Sequence, residues 1–238
     1  MNGYFDTNFW FVILVQFIWF IVVFIKMKAQ PSFLLCLVIG LVLSIPYGLA
    51  MDQIVGEKNR IFSYYGREDS WSFLLLNWIF SYGLAISTVF AAGLADFHSR
   101  KLPIIFLACL VLFVLLIETI YQTVSLEFTL LRMFVLGAIL ISAAEVAINA
   151  SGRVGLLRSM PHLMPAFWKF WIFAILTGLV YESANHLFPL WKWENAAPST
   201  SVNLALVVLF GYCALLYPMI AMQVVFEAIK RKLLKFRP

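Results

Sequence analysis

Seven long apolar runs dominate the chain, near residues 9–25, 33–51, 71–93, 104–121, 128–150, 166–184 and 202–226. At about 1.5 Å of helix rise per residue, each is long enough to cross a hydrocarbon layer of about 30 Å. Backbone polar groups in lipid must be satisfied internally, which leaves only helices and closed barrels. Runs that stay apolar, rather than alternating, choose helices. Composition agrees: 63% of the 238 residues are hydrophobic and 12% charged, with a mean hydropathy of +0.93. A soluble domain carries about a quarter charged residues. The expected fold is an all-α integral membrane protein of seven transmembrane helices. No stretch rich in Ser, Gly or Pro divides it, so one membrane domain over 1–226 is expected, followed by a basic cytoplasmic tail over 227–238. The first run is too long for a cleaved signal and lacks a small-residue cleavage site.

Several function classes drop out. Cys36, Cys109 and Cys213 all lie inside apolar runs, so no disulfide framework is implied. No Cys/His grouping has zinc-site spacing and no glycine-rich phosphate loop occurs, so neither metal nor cofactor is expected. The net charge of +5 is concentrated at the end of the chain, where five basic residues fall in the last nine positions. That is the pattern of a membrane surface rather than of nucleic-acid binding. With the N-terminus outside, eleven Lys and Arg fall in inner loops and tail against four in outer loops, so the bias expects N-outside and C-cytoplasmic in a cell or inner membrane. From Glu227 onward, Ile229, Leu233 and Phe236 share one helical face with cations around them, an arrangement suited to anionic lipid as well as to a plain positive-inside anchor.

Two stretches read alike. One runs from Tyr47 to Asp52, through a loop ending Ile61-Phe62-Ser63-Tyr64, into a helix holding Phe80-Ser81-Tyr82-Gly83. The other runs from Tyr181-Glu182-Ser183-Ala184-Asn185, through Trp191-Lys192-Trp193, into Phe210-Gly211-Tyr212-Cys213. Each is a helix ending in an acid, an aromatic loop and a return helix. Because the copies begin on the second and sixth runs, a parallel internal repeat is expected.

Ionisable groups within a span cost about 2.5–3.5 kcal/mol on insertion scales, so each needs a reason. Asp52, Asn77, Glu118, Arg132, Glu182, Asn185 and His186 come from five runs and fall at one depth, the outer third of the membrane. Glu118 and Arg132 match as a structural ion pair on neighbouring helices. Glu182 follows Leu179-Val180-Tyr181 with no nearby cation in its own run, so an apolar setting would favour its neutral, proton-bearing form. His186 lies one turn on, and a Glu/His pair beside Asp52 suits proton transfer as readily as it suits a structural hydrogen bond. Ser142, Glu145 and Asn149 share a second face, among alanines that suit close helix packing; Glu145 and Asn149 form a second candidate polar site. Pro46 interrupts the second run shortly before Asp52. Trp10, Trp71, Trp168, Trp171, Trp191 and Trp193 fall near run ends as an interface belt would, while Trp19, Trp78 and Tyr82 lie deeper.

The string from Pro46 to Tyr65, PYGLAMDQIVGEKNRIFSYY, resembles the half-repeat of the membrane lycopene cyclases, a family of carotenoid cyclases. Asp52, Ile54, Val55 and Phe62-Ser63-Tyr64 match its pattern, and Glu182 with Trp191 and Trp193 echoes it in the second half. The resemblance implies small three-helix units and acid chemistry on a carotenoid. The family's Pro-Leu/Ile-Glu-Glu motif is missing, because the corresponding stretch reads Leu75-Leu76-Asn77-Trp78-Ile79-Phe80. The acid would then be carried by Asp52, Glu182 or Glu145.

The functional expectation is an integral membrane enzyme acting on a hydrophobic isoprenoid-like lipid by acid-initiated cyclisation or isomerisation. Glu182 would be the acid, tuned by Asp52 and His186, with Asn77, Trp78, Tyr82, Tyr181 and Asn185 facing the substrate. Alternatives are a small membrane transporter or ligand-sensing protein, or a noncatalytic membrane subunit. The sequence leaves the oligomeric state open.

Overall fold

The computed structural model describes residues 6–27, 32–52, 62–65, 70–94, 129–153, 165–193, 205 and 207–235. They form helices α1 (Thr7–Lys26), α2 (Phe33–Met51), α3 (Trp71–Ala92), α4 (Thr129–Ala150), α5 (Pro165–Leu187) and α6 (Tyr212–Lys235). Two short strands, β1 (Phe62–Tyr64) and β2 (Trp191–Trp193), lie between α2 and α3 and between α5 and α6. Six of the seven expected runs are therefore helical. The run at 104–121 lies outside the described residues.

Thr7–Lys26, Phe33–Met51, Trp71–Ala92 and Val207–Lys230 are long and apolar enough to cross a membrane. The chain is an apolar helical protein suited to a lipid environment. α4 and α5 match them in length, at 22 and 23 residues. Side-chain caps begin the first three helices: Asp6 accepts from the Phe9 amide, Ser32 from Leu35 and Ser70 from Phe73. Gly93, at φ +60°, ends α3 in the left-handed conformation that glycine adopts without a Cβ penalty. α6 continues without a break past 226 to Lys235, so the start of the basic tail is an extension of that helix.

α1 buries Phe9, Val12, Ile13, Gln16, Phe20 and Val23, a stripe of helical period. Its other side leaves Leu14 and Ile18 exposed, as a lipid-facing surface does. α3 is the most enclosed helix, with every residue from Gly83 to Ala92 buried. It packs on α1 and α2, α6 packs on α4 and α5, and α3 meets α6 between these groups. Small residues allow the α2–α3 crossing: a Cβ at Gly40 would stand 2.0 Å from Ser87 Oγ and 2.4 Å from the Gly83 carbonyl. Ser87 donates to the Gly83 carbonyl at 2.7 Å and lies 3.1 Å from that of Cys36.

β1 and β2 pair antiparallel, with Phe62 opposite Trp193, Ser63 opposite Lys192 and Tyr64 opposite Trp191. The Tyr65 amide extends the contact to the Leu190 carbonyl. Each return helix is entered or interrupted by a π turn, at Trp78–Tyr82 in α3 and at Val207–Gly211 before α6. A π turn carries one extra residue, which frees carbonyls and realigns side chains four apart. Trp171 Nε1 takes up one such carbonyl, donating to Leu209 at 3.0 Å.

Candidate functional site

Asp52 closes α2 with its side chain buried, 6% exposed. Tyr64 from β1 and Tyr82 from α3 both donate to its Oδ1 at 3.2 Å, and Trp78 Nε1 donates to Oδ2. Trp78 and Tyr82 bracket the π turn, which brings both onto one carboxylate. Trp78 reaches it across Gly48: a Cβ there would sit 2.4 Å from the indole Cγ. Burial first, and then the negative Asp52 beside it, push the Tyr64 hydroxyl well above the usual tyrosine range. Tyr64 is therefore a protonated donor throughout the physiological range.

Glu182, 4% exposed, is the counterpart on α5. Its Oε1 accepts from Trp191 Nε1 of β2 at 3.2 Å and from the Tyr212 hydroxyl, at the start of α6, at 3.0 Å. The Tyr212 ring lies over Gly178, where a Cβ would fall 2.8 Å from Cδ2. At each of these two acids, then, a glycine four residues earlier admits an aromatic ring from the following helix, and a strand aromatic supplies a further donor.

Four of these five donors, all but Trp78, meet in one cavity. It has a volume of about 70 Å³, and Tyr64, Tyr82, Trp191 and Tyr212 line it together with Gln16, Asn77, Ser81 and Tyr181. Tyr82 stacks edge-on to Tyr47 with centroids 5.5 Å apart, and Tyr212 does so to Tyr181 at 6.1 Å. The Tyr47 hydroxyl donates to the Leu215 carbonyl, tying α2 to α6 below the cavity wall. Gln16 Nε2 donates to Ser81 Oγ at 3.0 Å, closing the α1–α3 side. Beside that contact, chain neighbours Phe17 and Phe80 join Trp10, Leu37, Leu41 and Leu84 among others in walling a separate apolar groove of about 530 Å³. Trp10 and Leu41 are among the exposed hydrophobics, so the groove lies on the outer surface of the helices.

Asp52, Asn77, Tyr82, Tyr181 and Glu182 are thus brought to one place, with both carboxylates one residue behind the cavity wall. Trp78 serves Asp52. Asn185 spends its side chain on the turn into β2, accepting from the Leu190 and Trp191 amides at 2.9 and 3.0 Å and donating to the Trp191 carbonyl at 2.9 Å. It builds the site rather than facing a ligand. His186 is exposed, while the Glu182 carboxylate meets Trp191 and Tyr212. Glu118 and the side chain of Arg132 lie outside the described residues. Glu145 is fully buried, accepting from the Tyr217 hydroxyl and from Asn149 Nδ2 at 3.4 Å. That second network ties α4 to α6. Among the described residues, no cluster of His, Cys, Asp and Glu has the composition of a metal site.

Sequence reasoning missed Gln16, Ser81 and the two glycines, and did not assign Tyr64, Tyr212, Trp191 or Trp193 to the site. Gln16 carried a signal, being the one polar side chain between Phe9 and Ile25. A glycine four residues before both Asp52 and Glu182 was the other. Comparison of the chain with protein-family models, with curated proteins and with solved structures finds no match.

Proposed function

We propose that the chain is a seven-helix membrane enzyme that acts on the end group of a hydrophobic, isoprenoid-like lipid by acid-initiated cyclisation or isomerisation. The observation behind this reading is the aromatic cavity in which three tyrosine hydroxyls, Tyr64, Tyr82 and Tyr212, each rest on a buried carboxylate. Aromatic faces stabilise a neighbouring cation, and such walls suit a carbocation that must be kept from solvent.

In this reading Glu182 is the acid and acts through Tyr212. When substrate binds, the Tyr212 hydroxyl turns its proton from Glu182 to the alkene or epoxide and accepts from the neutral carboxyl, which passes its own proton to the phenolic oxygen as the substrate is protonated. After ring closure or a double-bond shift, the cation returns a proton by the same route to the carboxylate. No cofactor is consumed. Asp52, already accepting from three donors, orients Tyr82 and Tyr64 on the opposite wall. The surface groove beside the Gln16–Ser81 contact would hold the rest of the chain.

The architecture proposed is two units of one orientation. Gly48 and Gly178, Asp52 and Glu182, Phe80 and Phe210, and Tyr82 and Tyr212 are each separated by the same 130 positions. Antiparallel pairing of β1 with β2, one strand from each unit, supports a twofold between the units. Kinship with the membrane lycopene cyclases, and an outward-facing cavity set by the Lys/Arg bias, belong to the same proposal.

Mass spectrometry of lipid copurified in mild detergent tests it, comparing the native protein with Glu182→Gln. The expected result is one isoprenoid bound to both, chemically altered with the native protein alone. The same unaltered lipid on both, or no isoprenoid on either, would overturn the proposal in favour of a transporter or a structural subunit.

A further inference from the structure

Of the buried side-chain polar atoms among the described residues, six make no hydrogen bond, and four of these belong to residues lining the cavity: Gln16 Oε1, Asn77 Oδ1, the Tyr181 hydroxyl and Trp193 Nε1. Gln16, Asn77 and Tyr181 are 0, 2 and 4% exposed, so bulk water does not serve them. The amide orientation of Asn77 is fixed by its neighbour. The single proton of the Tyr64 hydroxyl goes to Asp52, so that hydroxyl must accept from Asn77, which donates through Nδ2 at 2.9 Å. Oδ1 is left as a bare acceptor. Gln16, with Nε2 on Ser81, likewise leaves Oε1 as an acceptor. Tyr181 and Trp193 are the donors of the set; Thr88 and Glu182 neighbour them without completing a hydrogen bond.

We infer that the cavity recognises an uncharged alcohol, the hydroxyl-bearing end of the lipid. This rests on the proposed function and names its substrate class. A hydroxyl gives its proton to an amide oxygen and accepts one from Tyr181 or Trp193, answering both kinds of vacant partner at once. A hydrocarbon end leaves all four atoms unserved, and a ketone or ether leaves the two amide oxygens so. A phosphate or carboxylate fits worse still, because the lining contains no Lys or Arg and two carboxylates stand behind it. The volume of about 70 Å³ takes a small end group and not a bulky one.

The test uses the full chain in lipid nanodiscs, with intrinsic tryptophan fluorescence as readout because Trp191 and Trp193 border the cavity. It is titrated with geranylgeraniol and with the same C20 skeleton lacking the hydroxyl. The alcohol should bind about tenfold more tightly, the worth of one well-made buried hydrogen bond. Gln16→Met and Asn77→Leu should each remove most of that preference. Gln16→Met keeps the side-chain volume and does not disturb Tyr64, so one variant stays readable if the other fails to fold. Equal affinity for alcohol and hydrocarbon, or a preference untouched by both variants, overturns the inference. An alcohol bound through Gln16 and Asn77 but never converted would sink the enzyme reading alone. Conversion of the hydrocarbon, without preference for the alcohol, would sink only the hydroxyl assignment.

Discussion

Tyr64 and Trp191 are cross-strand partners, and each hands its hydrogen-bond donor to a different acid: the Tyr64 hydroxyl to Asp52 and Trp191 Nε1 to Glu182, both at 3.2 Å. Two residues in register thus connect two carboxylates that the chain places 130 positions apart. A slip of one residue would turn these rings to the other face of the ribbon and take one donor from each acid. The two-stranded ribbon is therefore part of the site.

The register is open to direct test. Ser63 and Lys192 are opposite one another, and cross-strand partners hold their Cβ atoms about 4.5–5.5 Å apart. A small adjustment brings them to the about 3.5–4.5 Å of a disulfide. In a chain with Cys36, Cys109 and Cys213 replaced, Ser63→Cys with Lys192→Cys should cross-link under mild oxidation, read by mass spectrometry of the joined peptides. A pair that stays reduced would refute the register.

The glycines beneath the aromatic rings make a graded set. Gly48→Ala sets a methyl 2.4 Å from Trp78 Cγ and Gly178→Ala one 2.8 Å from Tyr212 Cδ2, whereas Gly137→Ala meets only Ala214 Cβ at 3.4 Å. The first two should each cost about 1–3 kcal/mol of stability by overpacking. Gly137→Ala should be neutral or gain up to about 1 kcal/mol in helix propensity. Thermal unfolding in one detergent gives the ranking.

Much of the helical frame was legible because oil is conspicuous. The runs at 33–51 and 71–93 match α2 and α3 within a residue, and 9–25 matches α1 within two. The carboxylates were legible for the converse reason, an isolated charge in an apolar run. Of their partners, Trp78 and Tyr82 were picked out, whereas Trp191 near a run end read as part of an interface belt. The π turns left no trace, because an i to i+5 pattern has no signature in hydropathy. Three-residue strands are too short for an alternation to show. Asn185 misled because helix α5 runs on to Leu187, past the expected end at 184, and turns that side chain to the backbone of β2.

Asp52 anchors three donors, so its replacement should be read in steps. Asp52→Asn keeps one acceptor oxygen but turns an amide N–H against a donor, a change worth about 1–3 kcal/mol. Asp52→Ala should cost more, since it orphans all three. Tyr64→Phe removes one donor from Asp52 and the acceptor of Asn77. Because these groups share one network, Tyr64→Phe combined with Asp52→Asn should destabilise by less than the two single changes added together. Strict additivity in thermal or urea unfolding would break the network apart.

The last prediction separates a proton route through Tyr212 from direct contact with Glu182. Tyr212 lines the cavity and Glu182 stands behind it, joined by a 3.0 Å hydrogen bond. Removing the hydroxyl with Tyr212→Phe leaves the carboxyl and its Trp191 donor in place. General acid catalysis contributes about 10²–10⁴-fold, so Tyr212→Phe and Glu182→Gln should each lower turnover by at least about 100-fold. Substrate affinity should change little in either variant. Tyr82→Phe, the corresponding change on the Asp52 side, should lower turnover far less, because Asp52 already accepts from Tyr64 and Trp78 and serves to orient. Turnover retained in Tyr212→Phe and lost in Glu182→Gln would mean that the carboxyl reaches the substrate itself, and the tyrosine would then be a positioning residue.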